Sequence, residues 1–140
     1  HKDKAILSRI KLEKIMEKDL SLVNPAMTLG ELVKVVANSK RNIFPVVDNE
    51  NTFLGIVAMD DVRGIMFDQS LYQSETVATM MRAPLGVLST HNTMEEVTAI
   101  LKDTGAWNLP VLKKGKYVGY ISKSKLFSVY RRHLLEVSED

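Results

Sequence analysis

The sequence contains no cysteine. A disulfide framework, a thiolate metal site and a cysteine nucleophile are thereby excluded, and the redox compartment stays open. No apolar run approaches the ~18 residues that a membrane-spanning helix requires. No secretory signal stands at the N-terminus, and the chain opens His-Lys-Asp-Lys rather than with Met, as expected of a piece excised from something longer. Excess charge of one sign is also scarce. A net charge of +2 over 140 residues is too small to argue for nucleic acid as a partner. Catalytic patterns are missing too: there is no Ser-His-Asp order, no Walker loop and no G-x-G-x-x-G. What is present is ordinary for a soluble globular protein, with 45% apolar and 26% charged residues. A chain of this length makes one ordinary domain or two very small ones, and buries roughly two-thirds of its unfolded surface without staples.

The distribution of charge says more than its sum. Residues 1–70 hold ten basic and ten acidic side chains, whereas residues 71–140 hold nine and seven. Within the second half, 111–133 carries Lys113, Lys114, Lys116, Lys123, Lys125, Arg131 and Arg132 with no carboxylate. Such a stretch is either a solvated face or a field for an anion or an acidic partner.

The chain is one unit written twice. At an offset of 65, Met16 falls on Met81, Thr28 on Thr93, Glu31 on Glu96, Leu32 on Val97 and Pro45 on Pro110. After the proline the offset becomes 64 and Gly55 meets Gly119, as a one-residue deletion in a turn would produce. In each copy T-x-x-E forms a capping box, Thr28 with Glu31 and Thr93 with Glu96. Behind the boxes, Leu32, Val35 and Val36, then Val97, Ile100 and Leu101, recur at helical spacing. Asn38-Ser39 and Thr104-Gly105 end those helices. A strand follows over 43–48, then a polar turn (48–51, or 113–116), a second strand over 53–58 or 117–122, and a helix starting near Asp60 or Ser124. Short extended pieces, Leu22-Val23 and Val87-Leu88, precede each box. The fold class is therefore α+β, two β-α-β-β-α repeats packed sheet to sheet with pseudo-two-fold symmetry. A leading helix over 2–16 presents Ile6, Leu7, Ile10 and Ile15. The expected divisions are a leading helix or linker over 1–16, a first repeat over 17–67, a linker over 68–81, a second repeat over 82–133 and a C-terminal tail over 134–140.

This duplicated pattern resembles a tandem pair of CBS domains, the Bateman module. The resemblance runs from about Leu12 to Tyr130. It rests on Met16 and Met81, the two T-x-x-E starts, the h-P-V-h strands and the G-h-h strands with a helix behind each. The stretch TGAWNLPVLKKGKYVGYISKSKLFSVYRR is similar to the cytosolic C-terminal region of bacterial ClC-type chloride channels and transporters. The resemblance implies regulation rather than catalysis, with two clefts between the copies that often take adenine nucleotides such as AMP, ADP or ATP. The family signature is G-h-h-S/T-x-x-D, in which the Asp accepts ribose hydroxyls in charge-assisted bonds and the hydroxyl with its helix N-terminus favours phosphate.

Here that signature is split. Copy one reads Gly55-Ile56-Val57-Ala58-Met59-Asp60-Asp61, with the carboxylate but no hydroxyl. Copy two reads Gly119-Tyr120-Ile121-Ser122-Lys123-Ser124-Lys125, with the hydroxyl but a lysine for the carboxylate. A lysine has donors and no acceptor, so it holds an anion and not a ribose. In family terms one nucleoside cleft is expected around Asp61, and copy two is either degenerate or retuned for a more anionic ligand. The other expected walls are Leu22, Val23, Arg41, Asn42 and Ile43 in copy one, and Val87, Leu88, Ala106, Trp107 and Asn108 in copy two. Trp107 either stacks on a base, at about 1–3 kcal/mol, or packs in a core or dimer interface. Arg41 either meets phosphate or is an exposed helix-end cation.

His91 reads as a turn residue, and His133 has no carboxylate–histidine cluster near it in sequence to suggest zinc. Asp60 and Asp61 are adjacent at a helix start and point apart, which argues against a general acid–base pair; Asp60 suits the helix N-terminus. The seven methionines read as gap-fillers. The last helix, with Leu126, Phe127, Val129, Tyr130, Leu134 and Leu135, has more apolar surface than a small domain needs. Two functional classes follow. One is a non-catalytic ligand-sensing module, homodimeric through its helices, on the cytoplasmic face of a membrane channel or transporter. The other is a purely structural dimerisation module with dead clefts. A regulatory insert of an enzyme would read identically.

Overall fold

The computed structural model describes residues 2–139, so His1 and Asp140 lie outside the described residues. The chain separates into two compact units. Unit 1 comprises 1–18, 85–113 and 118–140; unit 2 comprises 19–84 and 114–117. The elements in order are α1 (Lys2–Leu7), α2 (Leu12–Ile15), α3 (Leu29–Ala37), β1 (Ile43–Val47), β2 (Phe53–Ala58), α4 (Met59–Val62), a 3-10 turn at Gln69–Leu71, α5 (Val77–Met80), β3 (Leu88–Ser89), α6 (Met94–Thr104), β4 (Asn108–Lys113), β5 (Lys116–Ser122) and α7 (Lys123–Glu139).

Both capping boxes form. In unit 2 the Glu31 N–H donates to Thr28 Oγ1 at 3.2 Å and the Thr28 N–H to Glu31 Oε1 at 3.3 Å. In unit 1 the corresponding distances are 3.1 Å and 2.8 Å. Glu96 is held below the usual carboxylate range, chiefly by that backbone N–H of Thr93. Behind the caps, Leu29, Leu32 and Val36 of α3 and Met94, Val97 and Leu101 of α6 are buried, the helical spacing read from the sequence.

Unit 2 contains the antiparallel pair β1–β2, with Phe44 opposite Val57 and Val46 opposite Gly55. Two single-residue bridges extend it on either side: Val23 lies parallel beside Val46, and Arg82 antiparallel beside Ile56. Its core gathers Val23, Leu29, Leu32, Phe44, Val46, Val57, Val62 and Val77. Unit 1 repeats the arrangement with β3, β4 and β5 in that order, Leu88 running parallel beside Val111, and Glu17 bridging Tyr120 on the far side. Its core gathers Ile15, Leu88, Val97, Leu101, Leu109, Val111, Ile121 and Leu126. The segment before copy one thus completes the sheet of copy two, and the segment before copy two completes the sheet of copy one.

That docking explains the glycine of each G-h-h strand. A Cβ at Gly55 would stand 2.8 Å from the Arg82 carbonyl oxygen, and one at Gly119 would stand 2.5 Å from Met16 Cγ and 2.9 Å from the Glu17 carbonyl oxygen. Neither glycine has a positive φ, so close approach, not backbone freedom, demands them. The β4–β5 turn is the opposite case: Lys114 and Gly115 both have positive φ, 50° and 78°, as a tight two-residue hairpin turn requires.

Three expected segments take the following form. The leading helix is broken: Arg9 and Ile10 donate back only three residues, to the carbonyls of Ile6 and Leu7, and α2 restarts at Leu12. Five residues separate Ile10 from Ile15, about 140° round an unbroken helix, so the break lets both reach one core. The expected link over 68–81 is built structure, with Val77 fully buried and the Leu29 N–H donating to the Glu75 carbonyl at 2.8 Å. The expected tail over 134–140 continues α7 to Glu139, with Ser138 Oγ donating to the Leu134 carbonyl at 2.9 Å. The helices after the two G-h-h strands are unequal, 4 residues in α4 and 17 in α7.

Gly55→Ala and Gly119→Ala should each destabilise the fold by about 1–3 kcal/mol, because backbone must move to admit the methyl group. Gly64→Ala, where a Cβ meets nothing within 4 Å, should be near neutral. Urea unfolding of the three variants checks the ranking.

Candidate ligand site

In each copy the second strand runs straight into its helix, and one backbone bond pins the junction. The Met59 N–H donates to the Asn42 carbonyl at 2.8 Å, and the Lys123 N–H donates to the Trp107 carbonyl at 2.8 Å. The residue before the h-P-V strand is thereby fixed against the head of the helix, which brings Asn42 near Asp61 in unit 2, and Trp107 near Ser122 and Lys123 in unit 1.

Asp61 is the third residue of α4. Its Oδ2 accepts the Ala58 N–H at 3.3 Å and the Arg82 Nε–H at 2.8 Å. Its Oδ1 accepts no hydrogen bond among the described residues, and the side chain is 30% exposed. One carboxylate oxygen is thus committed to the fold, and the other has no hydrogen-bond partner among the described residues. Asp60 does not share this corner; it pairs with Arg63 at 2.9 Å on the surface of the same short helix.

In unit 1, Ser122 Oγ accepts the Lys125 N–H at 3.1 Å and donates to Glu17 Oε1 at 3.4 Å. The hydroxyl expected to meet a ligand therefore caps α7 and reaches a carboxylate. Lys125 is exposed, and its ammonium has no partner among the described residues. Lys123 Nζ lies 5.3 Å over the Trp107 ring, a cation–π contact. Trp107 itself is 76% exposed, which removes the core reading. Asn108 is half-buried and Asn42 exposed.

The remaining walls divide differently from expectation. Val23 and Leu88 are buried in their cores, and it is their neighbours Leu22 and Val87 that face solvent. Arg41 is not an isolated cation, since its guanidinium stands 3.6 Å from Asp19. Both act on Tyr117, whose phenol burial pushes up to about 12, with Arg41 pulling down and Asp19 pushing up. A recess of about 500 Å³ in unit 1, lined by Lys4, Ser8, Lys11, Thr90 and Glu95 among others, contains none of the expected site residues.

Sequence reasoning missed two residues, Arg82 and Glu17. Each follows the methionine that opens a repeat, each bridges a G-h-h strand, and each approaches the head of the following helix. The signal was available: at an offset of 65 they carry opposite charges, as do Asp61 and Lys125 at an offset of 64.

The CBS domain model matches residues 12–68 and again 77–132. The chain belongs to the CBS domain family. A CBS domain-containing protein of Dictyostelium discoideum is 24% identical over 132 residues, spanning 86% of this chain and 91% of that protein. Among solved structures, the CBS domain of the bacterial CNNM/CorC family Mg2+ transporter superposes with a TM-score of 0.75 at 13% identity, covering 92% of this chain and 79% of that one. CBSX2 in complex with AMP superposes with a TM-score of 0.69 at 21% identity, covering 91% and 98%. These likenesses establish the small α+β CBS-pair fold. Among the described residues no helix is long and apolar enough to cross a membrane.

As the sole tryptophan, Trp107 reports directly on its surroundings. Its emission should be that of a water-exposed indole and should be quenched efficiently by acrylamide. A blue-shifted, poorly quenched emission would place this CBS surface in an interface instead.

Proposed function

We propose that this CBS pair is a non-catalytic regulatory module that binds an adenine nucleotide at the head of α4 and dimerises through its helices. The observation that carries the reading is the Asp61 carboxylate, held in place through Oδ2 while Oδ1 stays available to accept a sugar hydroxyl. The occurrence of AMP with CBSX2, a protein of the same fold, supports the ligand class. The exposed Trp107 and Lys125, with the half-buried Asn108 and Ser122, give unit 1 an aromatic face, a hydroxyl and a cation for the same class of ligand. Apolar Phe127 and Leu135, exposed along α7, support a homodimer through the helices.

The module is proposed to sit on the cytoplasmic face of a membrane transport protein. The CNNM/CorC transporter domain supports that class of parent. The sequence from Thr104 to Arg132 supports a channel or transporter of the ClC chloride type in particular. Ligand binding would bias the two copies toward one arrangement, and the terminal helices would carry that bias outward.

A structural dimer without a ligand is the second reading, and the Arg82 guanidinium already seated on Asp61 favours it.

A thermal-shift series with AMP, ADP and ATP separates the two. Ligand at 100 times its Kd adds about 2.7 kcal/mol, several degrees for a domain of this size. The shift should fall in Asp61→Ala. No shift with any nucleotide, or a shift unchanged in the variant, would overturn the nucleotide reading at Asp61. Sedimentation at tens of micromolar should give a dimer; a sharp monomer boundary would overturn the dimer.

A further inference from the structure

Two recesses follow the outer seam between α6 and α7 in unit 1. One, of about 210 Å³, lies between Leu101 and Lys102 of α6 and Lys123 and Leu126 of α7. The next, of about 270 Å³, reaches past Leu126 to Tyr130 and to Leu7 of α1. Both are bounded by Thr98 and Phe127, so together they form one groove. Its floor is apolar. Leu101 and Leu126 are each 1% exposed, and the Thr98 hydroxyl donates to the Met94 carbonyl at 2.8 Å, which leaves the methyl group as wall. Phe127, half exposed, forms the outer lip. The two ends differ in charge. Lys102 and Lys123 stand at one end, and neither ammonium pairs with a carboxylate among the described residues; Lys123 Nζ rests only over the Trp107 ring. At the other end Asp3 accepts the Tyr130 hydroxyl. An anionic head group is attracted to the lysine end and repelled from the Asp3 end, so the groove has a direction.

We propose that this groove binds a medium-chain fatty acid, its carboxylate between Lys102 and Lys123 and its tail along Leu101, Leu126 and Phe127 toward Tyr130. A slot that is apolar along its length and charged at one end matches a single-chain amphiphile. A sugar or a base laid on the same floor would leave its polar groups without partners. Each ammonium offers three donors, so the two lysines hold a carboxylate in charge-assisted hydrogen bonds while their stems cover part of the tail. Length agrees as well. Seven residues of α7 separate Lys123 from Tyr130, about 10 Å at 1.5 Å per residue. Roughly eight bonds of an extended chain span that distance, at the ~1.2 Å per bond of an extended backbone. The bound acid would touch α1, α6 and α7 at once, and so join the two terminal helices of the chain. The inference is independent of the nucleotide reading at Asp61.

Isothermal titration of the full chain with hexanoate and octanoate, both kept monomeric, tests it. One site per chain is expected, with affinity rising about fourfold per methylene, the ~0.8 kcal/mol of burying one. 1-Octanol, the same tail without the charge, should bind about tenfold more weakly, the loss expected for a hydrogen bond to a charged group. Replacing both lysines, Lys102→Gln with Lys123→Gln, should weaken octanoate by a similar factor and leave 1-octanol unchanged. Thr98→Phe fills the groove and should abolish binding of both. No heat from octanoate in wild type overturns the inference, as does equal affinity for 1-octanol, or octanoate affinity unchanged by the lysine pair or by Thr98→Phe. Should Thr98→Phe fail to fold, Phe127→Asp sets a carboxylate on the exposed lip and should abolish octanoate binding; unchanged affinity there overturns the inference. If octanoate is silent and sedimentation shows a wild-type dimer that Phe127→Asp dissociates, a second copy covers the groove and the inference is overturned.

Discussion

The structure depends on two places where backbone lies against glycine. Gly55 and Gly119 remove the side chain that would hold the Met81-Arg82 and Met16-Glu17 segments away, and each segment then closes the open edge of a sheet with a pair of hydrogen bonds. Without that closure the outer edges of β2 and β5 would present unpaired backbone groups. The same contact delivers a charged side chain to the head of each helix. Edge protection and the charge at each helix head thus come from the same residues, which a motif search treats as the spacer between repeats.

At the helix heads the physics is economical. A carboxylate at the third helical position of copy one reaches back to the preceding N–H, as a capping residue does, and is braced by a guanidinium. One of its oxygens is engaged in the fold, and the other has no hydrogen-bond partner among the described residues. An exposed ion pair of this kind contributes at most about 1 kcal/mol to stability, so its significance lies in orientation and not in holding the fold. In copy two the hydroxyl does the capping and the carboxylate arrives from outside the helix. Two local solutions leave one acidic and one basic side chain at these corners with their positions exchanged.

Much of this was legible in the sequence because it is written twice. The capping boxes, the h-P-V strands and the hairpin turns are local patterns, and local physics enforces them: Thr28 and Thr93 cap as read, and Leu32 and Val97 are fully buried. The break after Leu7 was not legible as a stop signal, since no proline or glycine marks it; only the five-residue step from Ile10 to Ile15 hints that one helix cannot bury both. Membership of a unit was not legible either. Residues 1–16 and 68–81 read as a leader and a linker because their partners are distant in sequence, and pairing between Glu17 and Tyr120 leaves no local periodicity to read. At the candidate site, the motif singles out Asp61, Ser122 and Lys125, whereas Arg82 and Glu17 needed the fold to bring them beside it.

The exchange of opening segments also bears on ancestry. A chain holding one repeat alone, with its opening segment unable to reach its own sheet, would leave that sheet uncovered until a sister chain lent its segment. Two such chains lending to each other form a domain-swapped dimer, a low-cost route to association. Duplication and fusion would convert that reciprocal loan into a single polypeptide and free the two halves to diverge. The opposite charges at Arg82 and Glu17, and at Asp61 and Lys125, are then the kind of difference that only a fused pair can accumulate, because an identical dimer must carry the same residue twice.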